Sequence, residues 1–172
     1  MRGFLLDTNV ISELRRPKPD AHVRGFIVAQ LEDRLFVSDV TFAEIRFGIE
    51  RLTDPQRRRD LGVWLDQTLR PFFGPRVLSL SEDVLLRWRL LIEEGRRRGH
   101  VFSQMDLFLA ATAAENTLVA VTRDATHFVA AGVATLDPWS GAFVDASGVA
   151  TNVLGHVADV ELLTRLRGGG PA

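Results

Sequence analysis

An α/β fold with a mostly parallel central sheet is what this sequence predicts, and three observations carry the prediction. Short apolar runs alternate with longer amphipathic stretches along most of the chain, the pattern of strand–helix–strand units. Residues 118–121 (LVAV) are continuously apolar, as a strand buried on both faces should be. Residues 4–6 form a second such run, and it stops on an acid, Asp7, followed by Thr8 and Asn9. Open parallel sheets place ligand sites at the carboxyl ends of their strands. Acids are rarely buried unless paired or bound to a metal. Asp7 is therefore the first candidate site residue.

The elements follow in order. Residues 3–6 are the first strand. A short helix with Ser12 and Leu14 near its end is broken by Pro17 and Pro19. Asp20 caps a helix to about Gln30, with Val23, Phe26, Ile27 and Leu31 on one face. Residues 35–37 are the second strand, and residues 38–41 open a helix carrying Phe42, Ile45 and Ile49. Asp54-Pro55 starts a helix to about Arg70, the proline suiting its first turn. Residues 77–80 are the third strand. Ser81, with Glu82 and Asp83 behind it, caps a long helix to about Arg98, which Gly99 ends. Ser103 opens a helix to Asn116, and residues 118–121 are the fourth strand. A loop with a short helical turn spans 123–129, and residues 134–136 are a weak fifth strand. Residues 141–152 are small and polar, and 157–166 read as one amphipathic helix before a loose glycine-rich end.

At 172 residues the chain reads as one domain over 1–140 with an extension over 141–172. Cysteine is absent, which removes disulfides and thiolate metal sites. No apolar run reaches the roughly 18 residues a membrane span needs. No signal-peptide layout precedes Asp7 and Glu13, so the expected location is cytoplasmic. Net charge is −1, so global charge does not announce a nucleic-acid binder. Lys18 is the sole lysine, and arginines cluster at 57–59 and 96–98. Those clusters suit phosphate and suit a solvated helix face equally well.

Four acids stand at strand–helix junctions: Asp7, Glu44, Asp106 and Asp124. Right-handed crossovers would bring all four to one edge of the sheet. Carboxylates gathered there repel, and a hard divalent cation relieves that repulsion. All-oxygen ligands favour Mg²⁺ or Mn²⁺. The four histidines show no zinc-binding spacing. Each acid also has an ordinary alternative. Thr41-x-x-Glu44 and Ser103-x-x-Asp106 both fit a capping box, Asp124 fits a turn and Asp7 fits an N-cap.

These motifs resemble those of the PIN-domain family, and within it the VapC- and FitB-like toxins of type II toxin–antitoxin modules. The carrying stretches are LDTNVISE at 6–13, SDVTFAEI at 38–45 with Gly48, DLFLAATA at 106–113, and VTRD at 121–124 with Phe128. The resemblance covers about residues 3–139. It implies a three-layer α/β/α sandwich and a ribonuclease in which Asp7, Glu44, Asp106 and Asp124 hold Mg²⁺ or Mn²⁺. It assigns Thr8, Asn9 and Thr122 to orienting water or phosphate around those acids. It also implies an RNA substrate, a cognate antitoxin, a homodimer, and operator DNA bound only through the antitoxin. Phe42, Phe47, Trp64 and Phe72 are candidates for the antitoxin's groove, with core packing as the alternative for most. The 101–104 stretch departs from the family pattern, and the tail from Gly141 has no counterpart in the family core.

Other classes fit less well. A haloacid-dehalogenase-type phosphatase needs an acid where Asn9 stands. A phospho-receiver domain needs a lysine beside its acids, and Lys18 is poorly placed. A dinucleotide fold needs a glycine-rich turn that is missing. The remaining alternative is a non-catalytic PIN-like module that binds RNA or protein.

Overall fold

The computed structural model describes residues 3–99 and 103–153. Seven short strands form one sheet: β1 (Gly3–Leu6), β2 (Leu35–Ser38), β3 (Val77–Leu78), β4 (Leu118–Val121), β5 (Thr135–Asp137), β6 (Ala142–Val144) and β7 (Ala150–Asn152). Their spatial order is β3-β2-β1-β4-β5-β6-β7. The first five neighbours pair in parallel, and β6 and β7 add antiparallel.

Alternation along the central strands builds two cores. Phe4 and Leu6 of β1, with Val119 and Val121 of β4, face one layer; Leu5, Leu118 and Ala120 face the other. The first layer holds α1 (Thr8–Leu14), α2 (Ala21–Val28) and most of α3 (Asp39–Glu50). The second holds α6 (Glu82–Arg97), α7 (Gln104–Glu115) and α8 (Thr126–Ala130). This is the three-layer α/β/α sandwich. Small side chains seat α7: Ala110, Ala111 and Ala113 are fully buried. A residue larger than glycine does not fit at Gly3, where a β-carbon would collide with the Arg34 carbonyl oxygen.

The helix from Asp54 is more complex than a single run to Arg70. α4 (Pro55–Trp64) passes through a π turn at Leu65–Leu69 into α5 (Arg70–Phe73). The π turn buries Leu65 and Leu69 together. The third strand is two residues rather than four. Leu31 is exposed, because α2 stops at Val28. Phe42 is buried in the core and Trp64 packs against it, whereas Phe47 and Phe72 are exposed. Residues 141–152 form the β6–β7 hairpin, and Val153 behind it is buried in the first core. The helix expected at 157–166 lies outside the described residues. No helix among the described residues is long and apolar enough to cross a membrane.

Candidate active site

The chain leaves β1 toward β2 and β3 on one side and returns to β4 on the other. Strand order therefore reverses beside β1, and the crevice at the carboxyl ends of β1 and β4 is the expected ligand position. Asp7 and Thr122 meet there. The Asp7 N–H donates to the Val121 carbonyl at 3.0 Å, which pins the acid across the crevice.

Asp7 is 8% exposed. Its Oδ1 accepts the Thr8 N–H at 2.6 Å. Its Oδ2 accepts the Asn9 amide and the Thr122 hydroxyl, both at 2.6 Å. These donors are all neutral. Burial is the main reason its pKa is pushed up to about 6 from 3.8. The hydrogen bonds from Thr122 and Thr8 oppose the rise, while the negative charges of Glu44 and Asp106 add to it.

Glu44 enters from α3. Ser38 caps that helix, its hydroxyl accepting the Val40 N–H, so the Thr41–Glu44 capping box is not formed. Thr41 instead donates to the Leu6 carbonyl at 3.4 Å, tying α3 to the end of β1. The Glu44 carboxylate accepts the Thr8 hydroxyl. Asp106 enters from the first turn of α7, where no side-chain cap bond forms at Ser103. Its Oδ2 lies 3.8 Å from Nε2 of His127 on α8.

Asp7, Glu44 and Asp106 are thus brought within electrostatic reach of one crevice. Asp124 stands further out and is exposed. Its N–H donates to the Thr122 hydroxyl oxygen at 3.1 Å, and its Oδ1 accepts the Thr126 N–H at 3.3 Å, serving the start of α8. Among the described residues no three acids or histidines are assembled at metal-ligand spacing. The donor set is nonetheless all oxygen. A cation would also favour the ionised form of Asp7 that burial and like charge now disfavour.

Two residues beside the site were missed in the sequence: His127, and Arg123 stacked over Trp139 with its guanidinium carbon 5.4 Å from the ring centre. The signal for both was position, since each follows the fourth strand within or just beyond the VTRD motif. The arginine clusters are largely used locally. Arg58 donates to the Leu52 carbonyl, and Arg96 and Arg98 pair with Glu93 and Glu94.

A crevice at this switch point, with Asp7 just after β1 and with Glu44 of α3 and Asp106 of α7 acting on it, defines a PIN-type domain. Comparison with protein families matches residues 4–133 to the PIN domain. The chain belongs to the PIN-domain family, among its VapC- and FitB-like toxins. It is 39% identical to plasmid stability protein StbB of Pseudomonas syringae pv. tomato, over 79% of this chain and 98% of that protein. It is 34% identical to toxin FitB of Neisseria gonorrhoeae over the same shares. It is 36% identical to VapC ribonuclease Y4jK of Sinorhizobium fredii, over 81% and 99%. A solved structure of FitAB bound to an IR36 DNA fragment superposes with a TM-score of 0.74 at 32% identity, over 79% and 95%.

Proposed function

We propose that this chain is a metal-dependent endoribonuclease, the toxin of a toxin–antitoxin pair. One observation carries the reading: a buried Asp7 with neutral donors on both oxygens and the charges of Glu44 and Asp106 acting on it. Burial and like charge disfavour the ionised form of such an acid, and a cation beside it favours that form. Asp7, Glu44 and Asp106, with Asp124 at the rim, would hold Mg²⁺ or Mn²⁺. The ion supplies a bound water of lowered pKa and neutralises charge on the phosphate under attack. The protein's own part is orientation. Thr122 and Asn9 hold Asp7, and Thr8 holds Glu44, so the carboxylates meet substrate with few rotamers left to fix. Cleavage leaves 5′-phosphate and 3′-hydroxyl ends.

The relative named a VapC ribonuclease supports RNA as substrate. The FitAB–DNA complex supports a cognate antitoxin and a DNA-bound assembly of the pair; contact with operator DNA only through the antitoxin belongs to the same proposal. A groove of about 770 Å³ runs from Thr8 and Glu44 to Leu61 and Trp64, giving an antitoxin segment room. Exposed Leu86 and Leu90, one turn apart on α6, offer an apolar surface for a homodimer. The cysteine-free composition agrees with a cytoplasmic location.

A second reading, a non-catalytic module that binds RNA or protein, is favoured by the exposed Asp124, whose Oδ1 accepts the Thr126 N–H at the start of α8 as an ordinary turn residue would. Purified, antitoxin-free chain incubated with RNA and Mg²⁺ or Mn²⁺ separates the two. Cleavage that EDTA stops supports the nuclease; intact RNA under both metals sinks it.

A further inference from the structure

We propose that Arg123, held in place by Trp139, grips a backbone phosphate of single-stranded RNA beside the scissile bond; this rests on the nuclease reading above. A crevice lined by carboxylates repels a polyanion, and a fixed cation at its rim lowers the cost of seating one. Arg123 stands there. Its N–H donates to Asn9 Oδ1 at 3.3 Å, and the same Asn9 side chain donates to Asp7. Its neighbours in the chain, Thr122 and Asp124, are joined by the Thr122 hydroxyl that also reaches Asp7. The backbone of Arg123 is thereby locked to the acid it would serve.

The side chain is held from the other direction. β4 and β5 are parallel neighbours, so the turns that follow them share one rim. The turn after β5 is built on Asp137, whose Oδ1 accepts the Trp139 N–H at 2.9 Å. Trp139 packs against the first core, and the Arg123 guanidinium lies over its ring. A cation–π contact of this kind consumes none of the guanidinium's N–H groups and leaves them to donate. Many arginines of this chain are paired with acids, among them Arg16, Arg70, Arg87, Arg96 and Arg98. Among the described residues no carboxylate is paired with Arg123. A guanidinium resting on a ring, with donors to spare beside the acids, is what a phosphate clamp requires.

The test is RNA binding across a salt series, using the full chain carrying Asp7→Asn so that RNA survives. The probe is a fluorescein-labelled single-stranded RNA of mixed sequence, with Mg²⁺ held constant. Arg123→Ala should weaken binding and make the slope of log affinity against log salt shallower by about 0.7, the loss of one phosphate contact. Arg123→Lys should keep the slope. Trp139→Leu should keep it too while weakening binding roughly threefold to tenfold, because the freed arginine must then be ordered on binding. Thermal melts accompany each variant, and Arg123→Gln replaces any alanine variant that fails to fold. An unchanged slope in Arg123→Ala, with the unmodified chain still cutting RNA, overturns the clamp alone and leaves the arginine a packing residue. A chain that neither cuts nor binds RNA overturns the clamp and the nuclease reading together.

Discussion

The two ends of helix α1 each carry a buried acid, and they are buried for different reasons. Glu13, 5% exposed, ends the helix with partners of the right sign. Its Oε2 lies 2.9 Å from Arg16, and its Oε1 accepts the Asp20 N–H at 3.0 Å, joining α1 to the start of α2. Asp7, 8% exposed, precedes the helix and has neutral donors and negative neighbours. Burial of a carboxylate therefore does not mark a site. The fold neutralises Glu13, whereas under the proposed function Asp7 is left for a cation to neutralise.

The largest effect that would break this contrast is on activity. Asp7→Asn or Asp106→Asn should lower RNA cleavage more than about a hundredfold, beyond what the loss of an outer supporting residue costs. Glu13→Gln should leave the cleavage rate within about threefold. A Glu13 variant as inactive as the Asp7 variant at equal stability would erase the distinction.

Stability should run the other way. Glu13→Ala is expected to cost about 2–3 kcal/mol in denaturant unfolding, because the Asp20 N–H loses its acceptor. Asp7→Asn should instead gain on the parent between pH 4 and pH 7 by up to about 3 kcal/mol, against a pH-independent loss because its amide NH2 cannot accept from the donors that one carboxylate oxygen now serves. The sign follows from the raised pKa. The folded chain binds a proton more tightly than an unfolded aspartate does, between 3.8 and about 6. The stability it contributes is full below about pH 4 and is lost as pH rises through 6. The advantage of Asp7→Asn should therefore fade on acidification, which urea melts at several pH values would read.

A smaller effect concerns metal. Mg²⁺ or Mn²⁺ at a hundred times its dissociation constant should stabilise the unmodified chain by about 2.7 kcal/mol. It should do far less for Asp7→Asn and should act on Glu13→Gln as on the parent. Calorimetry with and without EDTA reads this directly. Among the site substitutions the least severe is Thr122→Val, which removes one of the two donors on Asp7 Oδ2 and should lower cleavage roughly tenfold to a hundredfold.

Much of the fold was legible because the periodic signals were local. The strands at 3–6 and 118–121 and the caps at Asp20, Asp54 and Ser81 lie where side-chain type and spacing put them. The β6–β7 hairpin was not legible. Its strands are three residues each, and β7 is exposed throughout, so neither alternation nor apolar content betrays it. The site was half legible. Spacing alone left Glu44 and Asp106 divided between capping and ligation. The structure removes the cap for Glu44 by giving that duty to Ser38, a residue three places earlier than the spacing rule selects. Phe42 was offered to a groove because hydrophobicity does not tell which side of a helix meets the sheet. The Arg123–Trp139 contact joins two strands' turns, and no local pattern encodes it.

The hydrogen bond from Thr122 to Asp7 spans 115 positions of sequence. A chain emerging from the ribosome displays Asp7, Thr8 and Glu44 long before β4 exists. Until Leu118–Val121 slides in beside β1, Asp7 lacks both its backbone anchor at Val121 and the Thr122 hydroxyl. Under the proposed function, a copy truncated before β4 should be inactive, because Asp7 then lacks the Val121 and Thr122 contacts that hold it. Fragments ending before Leu118 should bind neither metal nor RNA, however much of the acidic crevice they already carry.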